Sequence, residues 1–122
     1  MILVDTSVWI DHLHKSEPAL VDALASDDVA CHPLVIEELG LGSMRNRGNV
    51  LGLLADLGQF PVLAHSEIRT LVDANRLWGK GLGVVDVHLL GSVMLAPGGR
   101  LWTRDKRMRS AAKGLGIPTV RS

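Results

Sequence analysis

The sequence contains one cysteine, Cys31, so no internal disulfide can staple the fold. Within VACH it reads as a small buried residue of a strand, not as a reactive thiol. No positively charged start leads into a long apolar run, because Asp5 and Asp11 interrupt the opening segment. The expectation is a cytoplasmic chain with no signal peptide and no membrane span. Neither GxGxxG nor a P-loop pattern occurs, and GLGVVD has glycines without the preceding strand that a nucleotide-binding loop requires. His12, His14, His32, His65 and His88 lack zinc-ligand spacing, so each reads as a surface or core residue. With no repeat, low-complexity tract or long linker, residues 1–122 are expected to form a single domain.

Net charge is also absent, with 13 basic residues against 13 acids, but the balance conceals an asymmetry. Residues 100–122 hold seven of the basic residues (Arg100, Arg104, Lys106, Arg107, Arg109, Lys113, Arg121) and one acid, Asp105. The remainder carries six basic residues against twelve acids. A basic segment joined to an acidic body fits a nucleic-acid binder with a carboxylate-rich site, or equally a solvated basic helix. Apolar residues make up 47% of the chain, high for a protein this small, which points either to an Ala/Leu/Val-rich core or to surface covered by another chain. Trp9, Trp78 and Trp102 read as core or interface anchors in preference to base-stacking platforms.

Short apolar segments alternate with helical patterns. Strands are expected at Ile2 to Val4, Val29 to His32, Phe60 to Leu63, Arg100 to Thr103 and Pro118 to Val120. Helices capped by Ser16 and Ser66 fill two gaps, and Val84 to Leu95 reads as a buried helix ended by Pro97-Gly98-Gly99. This β/α alternation implies right-handed crossovers and a three-layer α/β/α sandwich, with a parallel sheet of about five strands in the order 3-2-1-4-5. Met1 to Val4 are apolar at every position, as in a central strand covered on both faces, and the run ends on Asp5. Asp5 is therefore either a helix cap or part of a site at the sheet edge where such folds bind ligands.

Other acids fall near that edge. Asp105 follows the fourth strand, which is the neighbour of the first in this order, and Asp86 opens the buried helix. Glu37 and Glu38 follow the second strand; the helical neighbours of Glu38 are Leu34, Val35, Leu41 and Gly42, an apolar setting for a charge, although Glu37 differs from it only modestly. Capping explains Asp86 and Asp105 singly. Four converging carboxylates would repel one another, and bound cations resolve the repulsion. Oxygen donors without thiolates or paired imidazoles point to Mg²⁺ or Mn²⁺, one or two ions, in preference to zinc.

Together the stretches MILVDTSVWID, IEELGLGS, GLGVVDVHLLGS and LWTRDKRM resemble the PIN domain, and specifically the VapC toxins of VapBC toxin–antitoxin modules, over almost the whole chain. The resemblance implies a PIN-like fold and a metal-dependent endoribonuclease. Its acidic quartet, as catalytic residues and metal ligands, falls on Asp5, Glu38, Asp86 and Asp105, with Glu38 chosen because it precedes Leu39-Gly40. Thr6, Ser7 and Thr103 become supporting hydroxyls, and Arg107 stands where many relatives carry a further acid. Arg104, Lys106, Arg107 and Arg109 would hold the RNA backbone. The resemblance also implies a homodimer and a VapB-like antitoxin, with Val8, Trp9, Leu13, Leu39 and Leu41 as candidate groove residues. The alternative is a PIN-fold RNA-binding or RNA-processing protein that is not a toxin. A haloacid-dehalogenase-like phosphatase is disfavoured, since Asp5-Thr6-Ser7 lacks a second acid two residues on.

Overall fold

In a computed structural model, which describes residues 1–120, β1 (Ile2–Val4) is buried at all three positions and hydrogen-bonded on both sides. A strand with neighbours at both edges and helices over both faces has no solvent-facing side chain, which is why its sequence does not alternate. Strands β2 (Val29–Cys31), β3 (Gly58–Gln59) and β4 (Arg100–Trp102) complete a parallel sheet of order β3-β2-β1-β4. Beyond β4, Thr119 forms one parallel bridge with Leu101, at the place expected for a fifth strand. The sheet thus has four strands plus that bridge in the expected order. Arg121, counted in the basic segment, lies outside the described residues.

The intervening helices are α1 (Thr6–His14), α2 (Pro18–Ala25), α3 (Pro33–Leu41), α4 (Arg47–Asp56), α5 (His65–Asn75), α6 (Val84–Leu95) and α7 (Lys106–Gly114). They make the three-layer α/β/α arrangement expected from the alternation. One core surrounds the sheet, including Leu3, Val8, Trp9, Leu20, Leu89 and Trp102. A smaller cluster of Leu63, Ile68, Leu77 and Val87 lies beside it. Helix α6 is buried continuously from Val87 to Val93. Gly91 permits its close packing, since a Cβ there would stand 2.8 Å from Leu63 Cδ2 and 3.2 Å from Leu71 Cδ2.

Three local expectations shift. The third strand lies at Gly58–Gln59 instead of Phe60 to Leu63, because the pairing partners are Ala30 and Cys31; Phe60 then donates its N–H to the Cys31 carbonyl as the strand ends. Helix α2 starts after Glu17, with Pro18 in its first turn, so Ser16 is not its cap. Helix α5 starts after Ala64, whose N–H donates to Glu67 Oε1, so Ser66 lies within the helix. Cys31 is a buried free thiol in β2, and burial raises its pKa.

Candidate active site

The sheet order brings the ends of β1 and β4 side by side, and Asp5 and Thr103 follow those ends directly. Asp5 is both the α1 cap and part of the edge cluster. Its Oδ1 accepts the Thr6 N–H at 2.8 Å, while Oδ2 accepts the Ser7 hydroxyl at 3.2 Å and the Thr103 hydroxyl at 2.7 Å. Thr103, itself buried, also accepts the Asp105 N–H on Oγ1 at 3.1 Å. One hydroxyl therefore ties the segments carrying Asp5 and Asp105.

Asp105 caps α7, with Oδ1 accepting the N–H groups of Arg107 at 2.8 Å and Met108 at 3.1 Å. Asp86 closes the first turn of α6, with Oδ2 accepting the Gly83 N–H at 2.9 Å. Burial pushes the Asp86 carboxyl above its ordinary value; the Gly83 bond opposes this, and the charges of Asp5 and Asp105 add to the upward shift. These three carboxylates share one field. Helix α3 packs on α1, and Glu38 accepts the Thr6 hydroxyl at 2.7 Å. Glu37 makes no such contact among the described residues. Both glutamates are exposed, so the apolar setting expected for Glu38 is replaced by a polar link to the Asp5 segment.

Asp5 thus engages both of its oxygens, whereas each of the other three acids spends one oxygen on the fold and keeps the second available. Asp86 Oδ1, Asp105 Oδ2 and Glu38 Oε2 accept no hydrogen bond among the described residues. None of the four acids has a salt-bridge partner there, since the ion pairs involve Asp11, Glu17 and Asp28. Uncompensated carboxylate oxygens beside hydroxyls fit a hard divalent cation. Among the described residues, no three His, Cys, Asp or Glu side chains are grouped as a ready metal cage.

The cations divide into two groups. Arg104 donates to Asp11 and, at 2.6 Å, to Glu17 Oε2; these bonds raise its pKa and pin the loop after β4 to α1 and the start of α2. Arg109 donates to the Thr103 carbonyl at 2.8 Å. Lys106 and Arg107 are exposed and lack ion pairs among the described residues. With them, lining one cavity, stands Lys80, which lies outside the C-terminal basic segment and was not singled out in the sequence. The signal for it was its position in GKGLG, just ahead of Asp86. Trp9 and Trp102 are core residues as expected, but Trp78 is 61% exposed. Val8 and Trp9 also belong to the core and are unavailable as groove residues. A groove of about 570 Å³ remains between α1 and α3, lined by Ile10, Leu13, Leu39 and Met44, with Glu38 in its wall. Leu41, expected in the same groove, is exposed and does not line it.

His32 is fully buried at the end of β2, where Nδ1 accepts the Leu34 N–H at 3.0 Å and caps α3. Burial and the nearby His88 push its pKa down to about 4. Its role is structural.

Comparisons with known proteins bear on the family and the fold. Two curated relatives from Mycobacterium tuberculosis, strains CDC 1551 / Oshkosh and ATCC 25618 / H37Rv, are each named Ribonuclease VapC32. Each is 59% identical over 117 residues, covering 96% of this chain and 94% of the relative. The crystal structure of PAE2754 from Pyrobaculum aerophilum superposes with a TM-score of 0.64 at 20% identity, covering 98% of this chain and 88% of that one, which shows a shared fold. No helix of the described residues is long and apolar enough to cross a membrane. The PIN domain pattern matches residues 2–114, and the chain belongs to the PIN-domain family, whose VapC ribonucleases it resembles over nearly its full length.

Proposed function

We propose that this chain is a metal-dependent endoribonuclease, the toxin component of a VapBC-type toxin–antitoxin module, acting in the cytoplasm as a single domain of residues 1–122. One observation supports the reading: Asp5, Glu38 and Asp105 lie on hydrogen-bonded segments, Asp86 feels the charges of Asp5 and Asp105, and none of the four has a cation partner among the described residues. Their presence in a chain 59% identical to named ribonucleases supports phosphodiester hydrolysis.

Asp5, Glu38, Asp86 and Asp105 would hold one or two Mg²⁺ or Mn²⁺ ions. When bound, such ions supply activation of water and stabilisation of the leaving oxygen during in-line displacement. Thr103 and Ser7 orient Asp5 Oδ2, and Thr6 orients Glu38 Oε1. Because these hydroxyls sit at the ends of rigid elements, the carboxylates are held before substrate arrives. Lys106 and Arg107 offer unpaired charge to the RNA backbone. Arg104 and Arg109 support the same strand mainly by fixing the loop on which Asp105 stands.

The apolar groove beside Glu38 accommodates an amphipathic helix of a VapB-like antitoxin, whose basic side chain would compete for the carboxylates. Exposed Leu41, Leu53, Val62 and Leu95 supply apolar surface for a homodimer.

Purified protein incubated with RNA should cleave it only with Mg²⁺ or Mn²⁺ and leave 5′-phosphate and 3′-hydroxyl ends. Cyclic-phosphate ends, or full activity in excess EDTA, would refute the mechanism. Co-expression with the adjacent gene product should give a larger assembly with suppressed cleavage. Free activity beside a neighbour that neither binds nor inhibits would remove the toxin assignment.

A further inference from the structure

A cleft of about 420 Å³ separates the loop after α5 from α7, within the size range of small-ligand sites. Its charged lining is Lys80, Lys106 and Arg107, with no acid; Leu77, Ala111 and Leu115 provide an apolar floor. None of the three cations has an ion-pair partner among the described residues, whereas Arg100 and Arg104 both do. Both walls are the segments that present site carboxylates. The loop runs into Gly83, whose N–H holds Asp86, and Lys106 and Arg107 follow Asp105 in the first turn of α7.

Gly81 makes the close approach of these walls possible. It has φ +74°, and a Cβ there would lie 2.8 Å from Arg107 Cδ and 3.0 Å from its Nε and Nη1. The Arg107 side chain therefore lies against the Gly81 backbone, directing a third cation to the loop. On this loop, between the lining residues Leu77 and Lys80, stands Trp78, 61% exposed while both other tryptophans are buried. Positive φ at Arg76 and Gly79 brackets it. Trp78 does not itself line the cleft, but three unpaired cations in it and an exposed indole on the loop that forms one wall match what a single strand presents, namely phosphates and the faces of unstacked bases.

We propose that this cleft binds the stretch of single-stranded RNA flanking the scissile bond, with Lys80, Lys106 and Arg107 on the phosphates and Trp78 stacked on a base. The assignment rests on the ribonuclease reading for the position of the cut, not for the binding itself. It adds Lys80 and Trp78 as substrate-positioning residues. The match is to a polyanion because the lining carries cations and no acid; an apolar protein partner over Trp78 would leave those three charges uncompensated.

The test is titration of wild-type protein with a short single-stranded oligoribonucleotide in EDTA, read by tryptophan fluorescence. Since Trp9 and Trp102 are buried, quenching reports on Trp78. Binding should quench the signal, and Trp78→Leu, followed by anisotropy of labelled RNA, should bind roughly 10-fold more weakly. Replacing Lys80 and Arg107 together by Gln should flatten the plot of log affinity against log salt by about 1.4, from about 0.7 per neutralised phosphate. Lys15→Gln, an exposed site at the end of α1, serves as the control and should keep wild-type affinity. RNA binding with unchanged slope and affinity in these variants overturns the proposal. So does shielding of Trp78 by protein concentration alone, with no response to RNA. Binding that behaves as expected without metal-dependent cleavage supports the cleft and removes the nuclease reading.

Discussion

Asp5→Asn separates the structural and chemical roles of one carboxylate. In the wild type Oδ1 caps α1 through Thr6 N–H, and Oδ2 receives two hydroxyls. Asparagine keeps a carbonyl oxygen for the cap, and Asn and Asp are equivalent there. The amide nitrogen replaces an acceptor facing Ser7 and Thr103, so both hydroxyls must rotate and two charge-assisted bonds become neutral ones. Against this loss, one negative charge near Asp86 disappears. Metal-free stability should fall by about 1 kcal/mol, or roughly 4 °C in Tm for a domain of this size. Asp5→Ala, which also loses the cap, should cost about 1 kcal/mol more. In the wild type, a cation at 100 times its Kd adds about 2.7 kcal/mol, on the order of 10 °C. Asp5→Asn should show little of that rise, and its cleavage rate should fall on the order of 10³-fold, about 4 kcal/mol of transition-state stabilisation. Thermal melts with and without Mn²⁺, paired with cleavage of a fluorescent RNA, measure all of this. Wild-type cleavage with an undiminished metal shift would refute the ligand role. An Asn variant no more stable than the Ala variant would refute the capping role.

Glu38→Gln should lower kcat/KM at least roughly 100-fold and Glu37→Gln only a few-fold, because only Glu38 is linked to the Asp5 segment; the reverse ranking in cleavage kinetics would transfer the role to Glu37. Gly91→Ala pushes a methyl against Leu63 and Leu71 between α5 and α6 and should cost about 1–3 kcal/mol, read as a lower urea midpoint at unchanged m-value; an unchanged midpoint would contradict that packing. His32 is held neutral to about pH 4, whereas the unfolded chain protonates it near 6.5. Its contribution is therefore complete above pH 6.5 and is lost as pH falls towards about 4, a decline of about 3 kcal/mol. His32→Asn, which retains a capping acceptor, should flatten urea-unfolding stability across that window; an equally steep profile in the variant would assign the decline elsewhere.

What the sequence alone determined is the local and the periodic. The run from Met1 to Val4, apolar at each position, fits a strand with both faces covered, as Ile2–Val4 is, and an acid at its end lies on the ligand-binding edge in a sheet of this type. The apolar run at Val84 to Leu95 likewise specified a buried helix with Asp86 in its first turn. These features depend on neighbours a few residues away. Tertiary structure decided everything that depends on distant partners. Glu37 and Glu38 differ by one step around a helix, and only the packing of α3 on α1 brings Glu38 to the Thr6 hydroxyl. Phe60 to Leu63 has strand-like composition, but pairing is a property of two segments, and β2 reaches Gly58 and Gln59 instead. Arg104 looked like Lys106 and Arg107 in the sequence, yet Asp11 and Glu17, remote in the chain, engage its charge. Trp78 is as apolar as Trp9 and Trp102, but burial requires an element to pack over the residue, and on this loop Leu77, not Trp78, enters the smaller core cluster. Composition counts side chains; only the folded chain decides which of them find a partner.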